Sequence, residues 1–231
     1  MQLLHIISPG LYALFISMSQ TITPCPNNTF MKLARYHHNI FLSILSGIML
    51  LMITIGNYQT GKFNSMNDFL CSSYGNNWYA NTGAKMFLWS KYLEWGDSLF
   101  LHLSNKSISM LQYTHHMSTA FLMHTNFDEY LSPHMYVFMG SNCFVHIWMY
   151  WYFAEPKGWL YPYRQYITRI QIVQHILCLY TIYKTYMIGS ETCEQNKYGN
   201  FFGALMYSMY LFYFISFYIN KYNNIIKESL Y

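Results

Sequence analysis

Long stretches without a charged side chain constrain the fold of this chain more than any other feature of its sequence. Five of them are each at least as long as the roughly 20 apolar residues that a membrane-spanning helix needs. They cover residues 1–31, 36–61, 107–127, 130–154 and 198–220. Only 10% of all side chains are charged, against about 25% in an average soluble domain. The sequence therefore predicts an all-α, polytopic membrane protein.

Two further segments carry a few charges but are still apolar enough to span a membrane. They cover residues 83–103 and 166–188. In the second segment, Arg169 and Lys184 lie near the ends, where long side chains can reach the membrane surface. We predict seven transmembrane helices in a single domain, at residues 3–19, 36–55, 83–103, 109–125, 134–152, 166–188 and 201–219. Pro9 and Gly10 interrupt the first segment and no basic stretch precedes it, which favours a membrane helix over a signal peptide.

The charged residues between these helices predict an orientation, because cytosolic connections are enriched in Lys and Arg. One set of alternating connections is rich in basic residues, namely Lys32, Arg35, Lys106, Lys157, Arg164, Lys221 and Lys227. The opposite set is more acidic and contains Lys62, Asp68, Asp128, Glu129, Glu191, Glu194 and Lys197. We therefore expect a luminal N-terminus and a cytosolic C-terminus. The net charge of +4 reflects this topology and does not suggest that the chain binds nucleic acid.

The predicted topology also separates the cysteines into those in luminal connections and those elsewhere. Cys71 and Cys193 both fall in predicted luminal connections, where oxidation is permitted, whereas Cys143 and Cys178 lie within helices and Cys25 faces the cytosol. We predict a disulfide between Cys71 and Cys193. No pair of cysteines has the close spacing of a zinc or redox motif, so no metal is expected from them.

Polar side chains inside the predicted helices indicate a functional site, since an ionisable group in a membrane costs about 2.5 kcal/mol or more. In "KYLEWGDS", a helix of about 100° per residue would place Lys91, Glu94 and Ser98 within roughly 60° of one another, with Asp97 a further step round. An ion-paired stripe that only stabilises helix packing is the alternative interpretation.

Three more motifs have the same character. In "LQYTHH", Gln112 precedes the pair His115 and His116 by one helical turn, and His can act as nucleophile, base or ligand near neutral pH. The other two contain Asn142, His146, Met149 and Tyr150 in "NCFVHIWMYWYF", and Thr168, Gln171 and Gln174 in "ITRIQIVQH". Met149 is more typical of packing, and membrane amides usually bridge helices. Together the motifs predict a narrow pocket for a long apolar ligand with an anionic head.

The order of these motifs resembles that of the ELO family of fatty acid elongases. The family patterns K-x-x-E-x-x-D-T/S, H-x-x-H-H, N-x-x-x-H-x-x-M-Y and T-x-x-Q-x-x-Q match the four segments, and the resemblance covers nearly the whole chain. It implies one ELO-type membrane domain over residues 1–231, with seven helices around a substrate tunnel in the endoplasmic reticulum membrane. It also implies an acyltransferase, a very-long-chain 3-oxoacyl-CoA synthase, that condenses acyl-CoA with malonyl-CoA to 3-oxoacyl-CoA, CO2 and CoA.

The resemblance also implies roles for the motif residues. His115 is the expected nucleophile, through an acyl-imidazole intermediate, while His146 assists and His116 orients or donates. The expected supporting or substrate-binding residues are Lys91, Glu94, Asp97, Ser98, Gln112, Asn142, Met149, Tyr150, Thr168, Gln171 and Gln174. No cofactor and no metal are implied. Expected partners are the two CoA substrates, membrane lipid, a second copy of the chain and the other enzymes of the elongation cycle.

Three positions depart from the family pattern. Gln112 replaces the usual first His of its motif, Ser98 stands where Thr is commoner, and Phe153 removes one phenol. Two other functions are therefore alternatives. A membrane di-iron desaturase would also use an HxxHH motif but needs more histidines. A catalytically degenerate seven-helix protein could instead bind or transport lipid.

Overall fold

The computed structural model describes residues 2–127, 131–193 and 195–223, with side chains from residue 6 to residue 222. Asp128, Glu129, Glu194 and Lys227, which contribute to the predicted orientation, lie outside the described residues.

Helices form nearly all of the described structure, and no strand occurs within these ranges, so the all-α prediction is confirmed. The helices are α1 (Gln2–Ser19), α2 (Thr29–Gln59), α3 (Met66–Cys71), α4 (Trp78–Leu93), α5 (Gly96–Leu103), α6 (Met110–Phe127), α7 (Met135–Ala154), α8 (Arg164–Ile188) and α9 (Lys197–Tyr218). Short 3-10 turns at Lys62–Asn64 and Tyr161–Tyr163 and a π turn at Ile219–Asn223 complete them.

Polar residues placed just before several helices determine where those helices begin. The side-chain oxygens of Asn28, Asn77 and Asn196 accept hydrogen bonds from the first-turn amides of α2, α4 and α9, and Ser65 does the same for α3. Such caps stabilise a helix by about 1 kcal/mol each. Most boundaries of the long helices lie within a few residues of the prediction, but α2 and α4 begin earlier, at Thr29 and Trp78, than the predicted residues 36 and 83.

The predicted helix over residues 83–103 is wrong in one respect, because the structure divides it into α4 and α5. Between them the amides of Trp95, Asp97 and Ser98 donate to carbonyls three residues back, at 3.2, 3.0 and 3.1 Å. This 3-10 pattern overwinds the chain relative to an α-helix. As a result Lys91 lies in α4 and Glu94 caps its end, whereas Asp97 and Ser98 lie in the first turn of α5.

The helices pack around one apolar core. α2 lies against α7 and α4, α1 lies against α6, and α8 lies against α9. α2 and α4 approach closely at Gly56, where a Cβ atom would lie 2.7 Å from the Cβ of Ala80. The largest cluster of buried apolar side chains includes Met49, Ile53, Ala84, Phe87 and Met139. This core lies next to the polar residues of the four motifs, on α4, α6, α7 and α8.

Much of the outer surface is apolar as well. Large side chains such as Phe30, Phe201 and Phe212 are 73, 66 and 67% exposed, and exposed apolar surface of this kind marks contact with lipid or another protein. Within the described chain, Thr29–Gln59 and Lys197–Tyr222 are long and apolar enough to cross a membrane. That length criterion alone does not establish the predicted count of seven spans.

The connection between α2 and α4 is tied to the start of α9. The structure contains the predicted disulfide between Cys71 and Cys193. Next to it the Lys62 side chain is buried, donates to the carbonyl oxygen of Ser72 and lies 4.1 Å above the ring centre of Tyr74. Burial lowers the pKa of Lys62 from its ordinary 10.5 to about 8.

Candidate active site

A buried ion pair and an amide connect the first and third motifs. The Lys91 Nζ atom donates to Glu94 Oε1 at 2.7 Å and to Asn142 Oδ1 at 2.9 Å. Lys91 and Glu94 are each 2% exposed. Charges buried this deeply persist only when they are paired and hydrogen-bonded. The pairing therefore holds α4 and α7 together and keeps both charged groups inside the molecule.

The amide of Asn142 determines how the imidazole of His146 is used. Because Asn142 Oδ1 faces the Lys91 ammonium, its Nδ2 group faces His146 Nε2, at 3.1 Å. An amide nitrogen can only donate, so Nε2 of His146 accepts and its proton lies on Nδ1. That Nδ1 atom is 3.5 Å from Glu94 Oε1. Lys91 thus sets the tautomer of His146 through Asn142.

His115 lies beside this network with a free ring nitrogen. One ligand-type atom from each of Glu94, His115 and His146 lies within 4.8 Å of the other two. The Nδ1 atom of His115 is buried and has no hydrogen-bond partner among the described residues. Buried polar atoms in native proteins are nearly always paired, so an unpaired imidazole nitrogen at this position is available for chemistry.

A small cavity of about 30 Å3 adjoins His115. Polar side chains from Lys91, His115, Asn142 and Gln174 line it together with the apolar Phe87, Met123, Phe138, Tyr207 and Tyr210. On α6 its lining residues His115, Thr119 and Met123 lie on successive turns, which rise about 5.4 Å each. The cavity therefore extends from the imidazole of His115 along α6 toward the apolar side chain of Met123.

Asp97 organises a second group of polar side chains. Its Oδ1 atom is 2.9 Å from His38 Nε2, and its Oδ2 atom accepts from the Tyr150 hydroxyl at 2.8 Å. His116 Nε2 lies 3.9 Å from the same Oδ2 atom. Side chains from α2, α6 and α7 thus lie around the carboxylate of Asp97, which is in the first turn of α5.

Ser98 and Gln112 form a third contact, at the position where the family pattern has another His. The Nε2 group of Gln112 donates to Ser98 Oγ at 3.3 Å, and the hydroxyl groups of Ser98 and Tyr12 are 2.8 Å apart. Gln112 therefore links α6 to α5 and, through Ser98, to α1. In this structure its contacts are those of a positioning residue.

The fourth motif is only partly at the cavity. Gln174 lines the cavity, whereas the Nε2 group of Gln171 donates to the sulfur of Met149 at 3.4 Å. Thr168 is buried but does not line the cavity. His175, next to Gln174, places its Nδ1 atom 2.7 Å from the Gln171 carbonyl oxygen. The motif mainly joins α8 to α7, in agreement with the bridging alternative.

Sequence reasoning missed several residues of this region. His38 and Tyr12 lie in helices that carry none of the four motifs, and Thr119, Tyr207 and Tyr210 resemble ordinary packing residues in sequence. The only available signal was "ARYHHNIF", where two adjacent histidines begin a long apolar run. That signal does not identify which of the two histidines points inward.

The group of Glu94, His115 and His146 has the donor types of a metal site. However, the ammonium of Lys91 already lies 2.7 Å from Glu94 Oε1, so a divalent cation there would meet a positive charge in a buried environment. The residues therefore suit a metal poorly, although the prediction that no metal binds stays a prediction. Metal analysis of the purified protein tests it.

Comparison with known proteins identifies the family. A profile described as ELO: GNS1/SUR4 family matches residues 2–229. "Putative fatty acid elongase 1" of Schizosaccharomyces pombe is 32% identical over 197 residues, which are 80% of this chain and 59% of that protein. "Fatty acid elongase A" of Dictyostelium discoideum is 30% identical over 141 residues, 61% of this chain and 51% of that protein.

A further similar protein is "Fatty acid elongase 2" of Trypanosoma cruzi, which is 26% identical over 211 residues, 85% of this chain and 75% of that protein. The chain spans little more than half the length of the first two relatives. The profile nevertheless covers almost every residue in order. On that basis the chain belongs to the ELO (GNS1/SUR4) family.

Proposed function

We propose that this protein is a fatty acid elongase that condenses a long-chain acyl-CoA with malonyl-CoA, as a very-long-chain 3-oxoacyl-CoA synthase. The observation that carries the proposal is the position of His115, which lies beside Glu94 and His146 and lines a small cavity together with Lys91 and several apolar side chains. The names of its relatives agree with this activity. A polar reaction centre next to apolar space suits a thioester with a long alkyl chain.

In the first half-reaction, a ring nitrogen of His115 attacks the thioester carbonyl carbon. A carbon–nitrogen bond forms and the carbon–sulfur bond breaks, and the proton on the other ring nitrogen passes to the departing CoA thiolate. The product is an acyl-imidazole on His115 and free CoA. The ammonium of Lys91, which lines the same cavity, is a donor for the oxyanion that develops during the attack.

In the second half-reaction, malonyl-CoA loses CO2 and leaves an enolate. The enolate carbon attacks the acyl carbon, so that a carbon–carbon bond forms while the bond to His115 breaks, and the imidazole takes up one proton. The whole reaction consumes one proton and releases 3-oxoacyl-CoA, CO2 and CoA. The two half-reactions use one site in turn, which predicts ping-pong kinetics. No resident cofactor or metal takes part in this scheme.

We further propose that seven of the helices span the membrane of the endoplasmic reticulum and enclose the substrate tunnel. The short α3 would lie at the luminal face, and α4 and α5 would form one span together. The N-terminus would then be luminal and the C-terminus cytosolic. The apolar outer surface of α2 and α9 supports a membrane location, and basic connections on the cytosolic side would attract the phosphates of CoA.

The test measures 3-oxoacyl-CoA formed from labelled malonyl-CoA by membranes that contain the protein. We expect His115→Ala to lower the rate by more than about a hundredfold, and His146→Ala to lower it as well, with normal accumulation of both variants. His37→Ala is the control, because His37 is exposed on α2, and it should retain the wild-type rate.

Incubation with acyl-CoA alone tests the intermediate separately. We expect release of one equivalent of CoA and a mass increase by one acyl group on the peptide that contains His115. Product formation by the His115→Ala protein would contradict the acyl-imidazole scheme. If the wild-type protein forms no product, the elongase proposal itself fails, and the lipid-binding alternative takes its place.

A further inference from the structure

His38 contacts the Asp97 carboxylate from outside the four motifs. Its Nε2 atom is 2.9 Å from Asp97 Oδ1, and the two side chains are 18 and 16% exposed. The other carboxylate oxygen, Oδ2, accepts from Tyr150 at 2.8 Å and faces His116 Nε2 at 3.9 Å. One oxygen of the carboxylate thus contacts a residue of α2, and the other faces residues of α6 and α7.

The backbone of α5 is shaped to receive the His38 ring. A Cβ atom on Gly96 would lie 2.7 Å from His38 Cε1, which is closer than real side chains approach. The ring centre of His38 is also 5.1 Å from that of Phe100. A side chain at position 96 would displace the imidazole from its present place, so this contact depends on complementary residues from two helices.

The two ring nitrogens of His116 have different surroundings. Its backbone carbonyl accepts from Trp95 Nε1 at 3.3 Å, and its Nδ1 atom is buried without a partner in the described part of the chain. A carboxylate facing Nε2 favours the tautomer with its proton on Nε2, which leaves Nδ1 as the acceptor. The ring centres of His115 and His116 are 5.5 Å apart, so this choice of tautomer is made next to the proposed nucleophile.

We propose that His38 is a positioning residue for the condensation reaction, acting through Asp97 on His116. The inference rests on the proposed elongase function. By donating to Oδ1, His38 keeps the carboxylate in the rotamer that directs Oδ2 toward Tyr150 and His116. Without that donor the carboxylate is free to turn, and His116 loses the group that determines its tautomer. His38 itself does not contact the reacting atoms.

Three substitutions on α2 test the proposal in the same assay of 3-oxoacyl-CoA formation. His38→Phe keeps a ring of similar size but removes the donor, and we expect kcat to fall about tenfold to a hundredfold, as for other residues that orient a reacting group, with little change in KM. His38→Gln keeps an N–H donor near the position of Nε2 and should recover most of the rate. His37→Phe, one residue away on the exposed face, should match the wild type.

The outcomes separate a positioning role from a structural one. A structural role would lower the accumulated amount and the unfolding temperature in parallel with the rate, and would not favour Gln over Phe. A folded His38→Phe protein with wild-type kcat, or a His38→Gln protein as slow as His38→Phe, would overturn the proposal. If His38→Phe fails to accumulate, His38→Asn gives the answer, because its shorter amide falls short of Asp97 and the same loss of kcat is expected. Absence of product from the wild type would instead refute the elongase function.

Discussion

At the scale of single residues, the direction of one amide decides how the site is arranged. Asn142 presents its oxygen to Lys91 and its nitrogen to His146, so the charge on Lys91 determines which nitrogen of His146 carries the proton. Both ring nitrogens of His146 then face polar groups, whereas His115 keeps a nitrogen without a partner. This difference favours His115 over His146 as the nucleophile, as expected from the family resemblance.

Gln112 provides the prediction at this scale. Its side-chain amide donates to Ser98, and an imidazole can donate to the same hydroxyl oxygen. We therefore expect Gln112→His to retain most of the wild-type rate of 3-oxoacyl-CoA formation, and Gln112→Leu, which removes the donor, to be slower. Rates and protein amounts in isolated membranes provide the measurement. A collapse of activity in Gln112→His would show that the site depends on the amide itself.

At the scale of elements, the interruption between α4 and α5 divides the residues of one motif between two helices. Hydrogen bonds from the amides of Trp95, Asp97 and Ser98 to carbonyls three residues back interrupt the α-helical pattern here. Lys91 and Glu94 then contact α7, whereas Asp97 and Ser98 contact α2, α6 and α1 as well. One motif in the sequence therefore contributes side chains to two neighbouring polar groups, one around Lys91 and one around Asp97.

The connection between α2 and α4 provides a prediction about pH. The pKa of Lys62 is about 8 in the folded protein because burial disfavours its charge, against 10.5 ordinarily. Between these values the unfolded chain binds more protons, so the free energy of unfolding should rise as the pH increases from about 8 to about 10.5. Denaturant unfolding in detergent at several pH values measures this slope.

Lys62→Met is the matched variant for that measurement, since it keeps the length of the side chain and removes the titrating group. We expect its free energy of unfolding to change less over the same pH range. Equal slopes in the two proteins would show that Lys62 is not the responsible group.

At the scale of the whole molecule, apolar side chains lie on both the inside and the outside. The interior holds clusters such as Met49, Ile53 and Phe87, while Phe30 and Phe212 face outward. A protein in water would expose few such side chains in contiguous patches. Lipid around the helices accounts for this arrangement, and the polar residues of the four motifs then need partners inside, where the structure places most of them.

Glycosylation tests the proposed orientation. Asn27 and Asn105 begin N-x-S/T sequences in connections proposed to be cytosolic, so neither should carry a glycan. Trp78→Thr would create a new sequence of this type at Asn76, in the proposed luminal connection, and Trp78 is 65% exposed at the start of α4. We expect a glycosidase-sensitive increase in mass for this variant only. A glycan on Asn27 or Asn105 would show that the orientation is the opposite of the one proposed.

Much of the fold and part of the site are predictable from local sequence. Charge-free runs and polar caps predict helices near their observed positions, because both act within a few neighbouring residues. The contact of His38 with Asp97 joins residues 59 positions apart, and no periodicity relates them. The adjacent His37 is equally polar in sequence but exposed in the structure, so only packing against Gly96 distinguishes the two.

The amino-acid sequence by itself determined the all-α class, the approximate helices and the four motifs, since each depends on composition or on short-range spacing. The predicted topology, which follows from the distribution of charge, also gave the pair Cys71 and Cys193. Tertiary structure alone decided which groups contact Asp97 and Gln112, where α4 ends, and that Gln171 contacts Met149 and does not line the cavity. Those outcomes depend on side chains that distant helices bring within about 3 Å of one another. Hydrogen bonds and steric contacts act only at that range, and the linear pattern of a chain does not encode it.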